Sequence, residues 1–285
     1  MIRFATNADH PGLYALWQEA FGDSDEVIRH YFTRRHRNDS MLVHEEAGTI
    51  AGMLTMLPAQ LQTHRGNLSC RYVYAVATLQ SFRRRGISTG LLDAAHAWMR
   101  QHGIAASVLA PADRDLINFY QKRGYKTAFY YDTESLPAGD IPPPPEGGAA
   151  RNVSPADYLQ VRNAAFSASG LYVRWNQNAI EFVVNSERAV GNWVLILTTS
   201  IGRAVAVCQA WGEGTVRVAE LALDGMNAPD AIALIHRHIQ ANAYQLRLPE
   251  NVWPGANRIP GGMIYPLQPL PPAEGSAPYI GLIKD

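Results

Sequence analysis

Val76-Ala77-Thr78-Leu79-Gln80-Ser81-Phe82-Arg83-Arg84-Arg85-Gly86-Ile87-Ser88-Thr89-Gly90 decides the fold of the first half of the chain. The apolar start reads as the end of a strand, the middle as a polar turn, and Gly86 to Ser88 as the start of a helix. That helix continues to Gln101, with Ile87, Leu91, Ala94, Ala95 and Trp98 at helical spacing. The first N–H groups of a helix have no partner inside it and point outward with the positive end of its dipole. Gly86 has no Cβ, so an anion can approach the backbone, and Arg83, Arg84 and Arg85 add charge. Several convergent N–H bonds to an anion, at roughly 1.5–3 kcal/mol each, outweigh the roughly 0.3–1 kcal/mol of the dipole. By itself the stretch leaves three readings open: a phosphate site, a solvated arginine face, or a nucleic-acid contact.

Working outward, element types alternate. Ile2–Thr6 reads as a strand, and Asn7 or Asp9 as the cap of a helix running to about Phe21. Asp25–Arg34 keeps helical spacing. Met41–Glu46 and Thr49–Leu57 read as a hairpin turning at Ala47-Gly48, and Gln60–Arg65 with Ser69–Thr78 as a second pair around Gly66-Asn67. Ile104–Ala110 is a short strand ended by Pro111, Arg114–Arg123 a helix stopped by Gly124, and Tyr125–Asp132 a further strand. The fold class expected is α+β, a mixed α/β sheet flanked by helices.

Residues 137–150, which include Pro142-Pro143-Pro144-Pro145-Glu146-Gly147-Gly148, suit neither a helix interior nor a central strand. They predict a linker between a domain over 1–136 and another over 151–285. In the second half, strand Thr215–Leu223, helix Pro229–Gln240 and strand Ala243–Leu248 repeat the order around the opening stretch. Asp224-Gly225-Met226-Asn227 there replaces the arginine-glycine turn, which points to a diverged internal duplication.

Composition narrows the partners. With 47% hydrophobic residues, 285 residues bury a sizeable core, and Lys plus Arg equals Asp plus Glu at 25 each. A neutral chain offers no global attraction to nucleic acid or to an anionic membrane surface, so neither is expected as a partner. Cys70 and Cys208 make no disulfide framework or zinc cluster, the start has no signal-peptide order, and Trp193–Val207 is too short to span a bilayer. A cytoplasmic protein without metal is the expectation. On a helix, His236 and His238 face different directions, and His44, Glu45 and His64 read as surface groups. Trp175, Trp193, Trp211 and Trp253 read as packing residues.

Arg83-Arg84-Arg85-Gly86-Ile87-Ser88 resembles the Arg/Gln-x-x-Gly-x-Gly/Ala signature of the GCN5-related N-acetyltransferase (GNAT) superfamily. Tyr72–Thr78 is similar to that family's central strand, and Asn118–Tyr125 to its closing helix, in which a Tyr precedes a Gly-aromatic pair. Ser88 stands where Gly or Ala is usual, and Asp113 where Asn is often found. The two-part layout resembles the Eis-like acetyltransferases, with an active domain followed by a degenerate one. The 285 residues are expected to hold no sterol-carrier-like third domain.

The resemblance implies direct attack of a primary amine, small or on a peptide, on the thioester of acetyl-CoA. It implies that backbone at Val76, Ala77 and Thr78 binds the pantetheine and that Arg83, Arg84, Arg85, Gly86, Ile87, Ser88 and Thr89 hold the diphosphate. Tyr120 would be the acid that protonates the thiolate, and the terminal carboxylate of Asp285 a candidate base. A Tyr near pKa 10 and a thiol near 8.5 leave a gap of about 2 kcal/mol, which a modest fall in the Tyr pKa would close. An alkyl ammonium costs about 4.6 kcal/mol to deprotonate at pH 7, so a base or water chain is expected. A non-catalytic acyl-CoA-binding module is the alternative. Oligomeric state and acceptor identity are not legible.

Overall fold

The computed structural model describes residues 1–273, 275 and 277–281. The chain divides into two compact units: Met1–Leu61, Asn67–Lys126 and Met263–Leu270 form one, and Gln62–Gly66, Thr127–Gly262 and Pro271–Asp285 the other.

The first unit contains β1 (Ile2–Phe4), α1 (His10–Phe21), α2 (Asp25–Arg34), β2 (Met41–Glu46), most of β3 (Thr49–Thr63) and β4 (Gly66–Thr78), then α3 (Ile87–Gln101), β5 (Ala106–Leu109) and α4 (Arg114–Gln121). Its sheet runs β1-β2-β3-β4-β5 and is closed by Met263–Pro266 from the far end of the sequence, antiparallel to β5. Ala47 and Gly48 both have positive φ, at 50° and 78°, so the β2–β3 connection is the tight hairpin expected there. Thr49 to Thr63 is one strand rather than two, since Pro58 does not end it. The Asp9 side chain does not cap α1 but accepts from the Thr6 N–H in the turn before it, and its carboxylate also takes two 2.7 Å bonds from Arg3, which hold it well below the usual carboxylate range against the opposing effect of burial. The apolar face of α3 packs Ile87, Leu91, Leu92, Ala95 and Met99 against Leu54, Val73 and Leu109.

The second unit takes β6 (Lys126–Pro137) from Thr127 onward, then β7 (Ala149–Asn152), α5 (Pro155–Ala165), β8 (Leu171–Arg174), α6 (Gln177–Ala189), β9 (Trp193–Thr198), β10 (Arg203–Ala210), β11 (Thr215–Asp224), α7 (Ala228–Ile239) and β12 (Ala243–Leu248). The first half of β13 (Asn257–Pro266) also belongs to it. Its sheet order is β7-β9-β10-β11-β12-β6. The pair β4/β5 is parallel across α3, and β11/β12 is parallel across α7. In both units two helices separate the first strand of this sheet order from the second, although in the second unit β8, off this order, stands between those helices. The division falls at Lys126 rather than near 136, because β6 runs on as a strand to Pro137 and pairs with β12. The segment expected to link two halves therefore lies inside the second unit, entering β7 at Ala149.

Trp175 is buried, and Trp193 and Trp253 pack against the second unit's core. Trp211 departs from the expectation. It is 52% exposed, on the hairpin between β10 and β11, with Arg217 stacked over its ring. Among the described residues, no helix is long and apolar enough to cross a membrane.

Candidate functional site

The site is built where β4 ends and α3 begins. The parallel ladder of β4 with β5 stops at Tyr72↔Val108, and β5 itself ends at Leu109, whereas β4 runs on to Thr78. The two strands thus part company, and the last turn of β4 is left beside the loop. Ala75, within that stretch, has φ 50°, a left-handed backbone that costs a residue with a Cβ roughly 1–2 kcal/mol. A left-handed residue within a strand re-aims the backbone groups on either side, and strained residues of this kind gather at functional sites. Nothing in the alanine signals it.

The chain then makes a 3-10 turn at Gln80–Phe82, and Arg84 and Gly86 both take positive φ, 65° and 79°. Left-handed residues inside a turn aim successive N–H groups into a common concavity suited to an anion. Gly86 is the residue before α3, and no side chain caps that helix; its first turn carries no acidic residue either. A Cβ placed on Gly86 would meet nothing within 4 Å, so the glycine answers to the φ and to open approach, not to packing. Gly52 of β3 serves packing instead. A Cβ there would come within 2.6 Å of Ile87, so the glycine lets α3 seat its first residue on the sheet.

The three arginines divide their work. Arg83 donates from Nε to the Thr78 carbonyl oxygen at 3.2 Å and ties the loop to the end of β4. Arg85 pairs with Glu46 at 2.9 Å and stacks on Phe82. Arg84 is exposed and has no polar partner among the described residues. Thr78 and Ser88 share a 2.9 Å hydrogen bond between hydroxyls, so the serine in the place of Gly or Ala joins strand to helix.

Tyr120 is brought to the same side of the unit by α4. It is 7% exposed, packs edge-on to Phe119 and Tyr125, and its hydroxyl makes no hydrogen bond among the described residues. Burial pushes its pKa up to about 12, and the nearby Arg123 offsets only part of this. A fall would close the gap to a thiol; the shift is instead a rise, because desolvation of the phenolate outweighs one neighbouring charge. Asp113 caps α4, accepting from the Leu116 N–H at 2.7 Å, which accounts for it without any ligand. Sequence reasoning passed over Arg123, whose guanidinium reaches Thr89 of α3 at 2.9 and 2.6 Å.

The remaining candidates are scattered. Glu45 accepts from Arg3, His44 lies 3.7 Å from Glu46, and His64 accepts from Arg65. His236 bonds the Tyr244 hydroxyl, and among the described residues His238 makes no such pair. Asp285 lies outside the described residues. Ahead of it, Tyr279 makes an isolated parallel bridge to Tyr172. The second unit's matching helix is the reverse of α3. The Asn227 side chain caps α7, accepting from the Asp230 N–H at 2.8 Å, and Asp230 places a negative charge in its first turn.

Residues 1–128 match the family described as "Acetyltransferase (GNAT) domain". No curated protein matches the chain. Among solved structures, the chain is similar to a GCN5-related N-acetyltransferase from Anabaena variabilis at 14% identity and TM-score 0.77, covering 94% of this chain and 73% of that one. It is also similar to Eis1 from Mycobacterium abscessus, at 15% identity and TM-score 0.70, with coverage of 94% and 74%. A GCN5-related N-acetyltransferase from Kribbella flavida matches at 17% identity and TM-score 0.71, with coverage of 93% and 70%. At these identities the likeness concerns the fold.

Proposed function

We propose that this chain, whose residues 1–128 match the acetyltransferase (GNAT) domain family, transfers the acetyl group of acetyl-CoA to a primary amine, small or on a peptide, by direct attack. One observation carries this reading. Of the two matching helices, α3 offers bare N-terminal amides behind a left-handed Gly86, while α7 closes its own with Asn227 and Asp230. The backbone of Arg84–Thr89 would hold the diphosphate, with Arg84 free to add charge. The edge of Val76–Thr78 that β5 does not reach would pair with the pantetheine amides. The second unit is a degenerate copy: it lacks the loop, and no helix equivalent to α4 follows β12 before β13.

Acetyl-CoA supplies the activated thioester; the chain's part is to place it and to handle protons. Tyr120 stays protonated at any physiological pH, so it is always able to donate to the departing sulfur. A Tyr at about 12 facing a thiol in water near 8.5 would be opposed by about 5 kcal/mol. The sulfur, however, departs in the same apolar unit, and burial raises thiols as well. Cys70, on β4, is pushed up to about 12. Donor and acceptor rise together, and the gap narrows. The acceptor ammonium still has to lose its proton, and a carboxylate in the tail beyond Gly281 is the proposed base.

The test is thiol release from acetyl-CoA across a panel of amines, with calorimetric binding alongside. Tyr120→Phe is expected to lower kcat by roughly 100-fold or more while acetyl-CoA binding is kept. Binding without thiol release for any amine would favour the alternative, an acyl-CoA-binding module. An unchanged rate in the variant removes Tyr120 as the acid.

A further inference from the structure

We propose that Arg123 is a positioning residue that holds Tyr120 in register with the phosphate loop; this rests on the acyl-transfer reading above. Helix α4 is eight residues long, and Tyr120 is its one buried residue, with Ile117 and Phe119 partly buried against the same core. Apolar packing seats the helix on the core, and a polar strut can set where along it the hydroxyl sits.

Arg123 follows the last turn of α4 and folds back over it. Its guanidinium lies 3.4 Å from the centre of the Phe119 ring, and Nη1 donates to the Phe119 carbonyl oxygen at 2.7 Å. It then reaches across to α3, where Nε and Nη2 both donate to Thr89 Oγ1, at 2.9 and 2.6 Å. A surface arginine at a helix end ordinarily bonds one carbonyl and leaves the rest to water. Here every nitrogen of the fork is used. Thr89 stands next to Ser88, whose hydroxyl meets Thr78 at the end of β4. A continuous set of bonds thus runs from β4 through the first turn of α3 to α4. Tyr120 lies three residues before Arg123, and its carbonyl oxygen accepts the Arg123 N–H at 2.9 Å. The turn that starts Arg123 in this direction is set by Gly124, at φ 86°, where a Cβ would come within 2.8 Å of Tyr265. Misplacing a reacting group by about 1 Å can cost on the order of 100-fold in rate, so a strut of this kind matters to an acid.

The experiment measures kcat, KM and calorimetric acetyl-CoA binding for the full chain and for Arg123→Gln, Arg123→Lys, Thr89→Val, Tyr120→Phe and the Arg123→Gln/Tyr120→Phe pair. Arg123→Gln and Thr89→Val should lower kcat roughly 10- to 100-fold with acetyl-CoA affinity changed less than about threefold. Arg123→Lys should not restore the rate, because an ammonium keeps the charge but has no planar fork. In the Tyr120→Phe background the glutamine should add less than about twofold, since its effect passes through the missing hydroxyl. An equal loss in both backgrounds, or an unchanged kcat in either Arg123→Gln or Thr89→Val, overturns the proposal and leaves acyl transfer standing. Thr89→Val keeps the arginine and tests the same strut if the glutamine variant does not fold. Absence of both thiol release and acetyl-CoA binding in the unaltered protein overturns the acyl-transfer reading, and this inference with it.

Discussion

Tyr120 shows how burial sets the chemistry available to one residue. Its pKa of about 12 lies above the ordinary value near 10, first because its phenolate would be desolvated, with Arg123 opposing. An acid works in its protonated form, and a raised pKa extends that form to higher pH. The rate should therefore climb with pH as the acceptor amine loses its proton, with no descending limb from Tyr120 below about pH 10. A pH series of kcat/KM on the full chain checks this. A fall below pH 10 that disappears in Tyr120→Phe would contradict the assigned environment.

Within the first unit, α3 is the element whose two ends and two faces do different work. Its N-terminus is bare, so adding an acid there should repel a diphosphate. Ser88→Asp is expected to weaken acetyl-CoA binding by at least 10-fold while leaving the fold intact, as read by calorimetry and circular dichroism. Its inner face buries His96, bonded to the Tyr125 hydroxyl at 3.0 Å and stacked on Tyr265. Burial, helped by the Arg100 charge, holds His96 down at about 4, against 6.5 in the unfolded chain. A depressed pKa contributes stability that is present above about 6.5 and is lost as pH falls toward 4. The loss amounts to about 3 kcal/mol. Urea unfolding at a series of pH values should show this acid limb in the unaltered protein and a flatter one in His96→Gln. Gly52 of β3 also shapes this element's seat, and neither it nor the left-handed Ala75 of β4 stands out in the sequence, because a close approach or a left-handed strand residue is visible only once neighbours are in place.

At the scale of the whole molecule, the proposed function puts its anion site in the first unit and none in the second. Calorimetry should therefore give one acetyl-CoA per chain, and Ser88→Asp should weaken that single event rather than expose a second. A second event surviving in the variant would place an unforeseen site in the second unit. What that unit builds at its centre instead is a closed polar network. Glu220 accepts from Arg162, from Tyr158 at 2.5 Å and from Tyr279 at 3.0 Å, all of them buried. Removing one partner of such an ion pair leaves a bare buried charge, so Glu220→Gln should cost about 3–5 kcal/mol in chemical unfolding. Arg162 also donates to the Ile280 carbonyl oxygen, which fixes the tail segment to that unit.

The local features were legible in the sequence for local reasons. Helical spacing, the Gly86 break after a strand and the hairpin at Ala47-Gly48 follow from backbone preference and apolar period, which act over a few residues. So did the repeat of strand, helix and strand in the second half, and the replacement of its loop. Other features belonged to the tertiary structure. That β6 leaves the first unit to pair with β12, while 263–266 return to close the first sheet, depends on which edges are free to bond. The division of three adjacent arginines among Thr78, Glu46 and solvent depends on where those acceptors stand. The rise in the Tyr120 pKa depends on desolvation by residues remote in sequence, and Arg123 gives no local signal because Thr89, its partner, is 34 positions away.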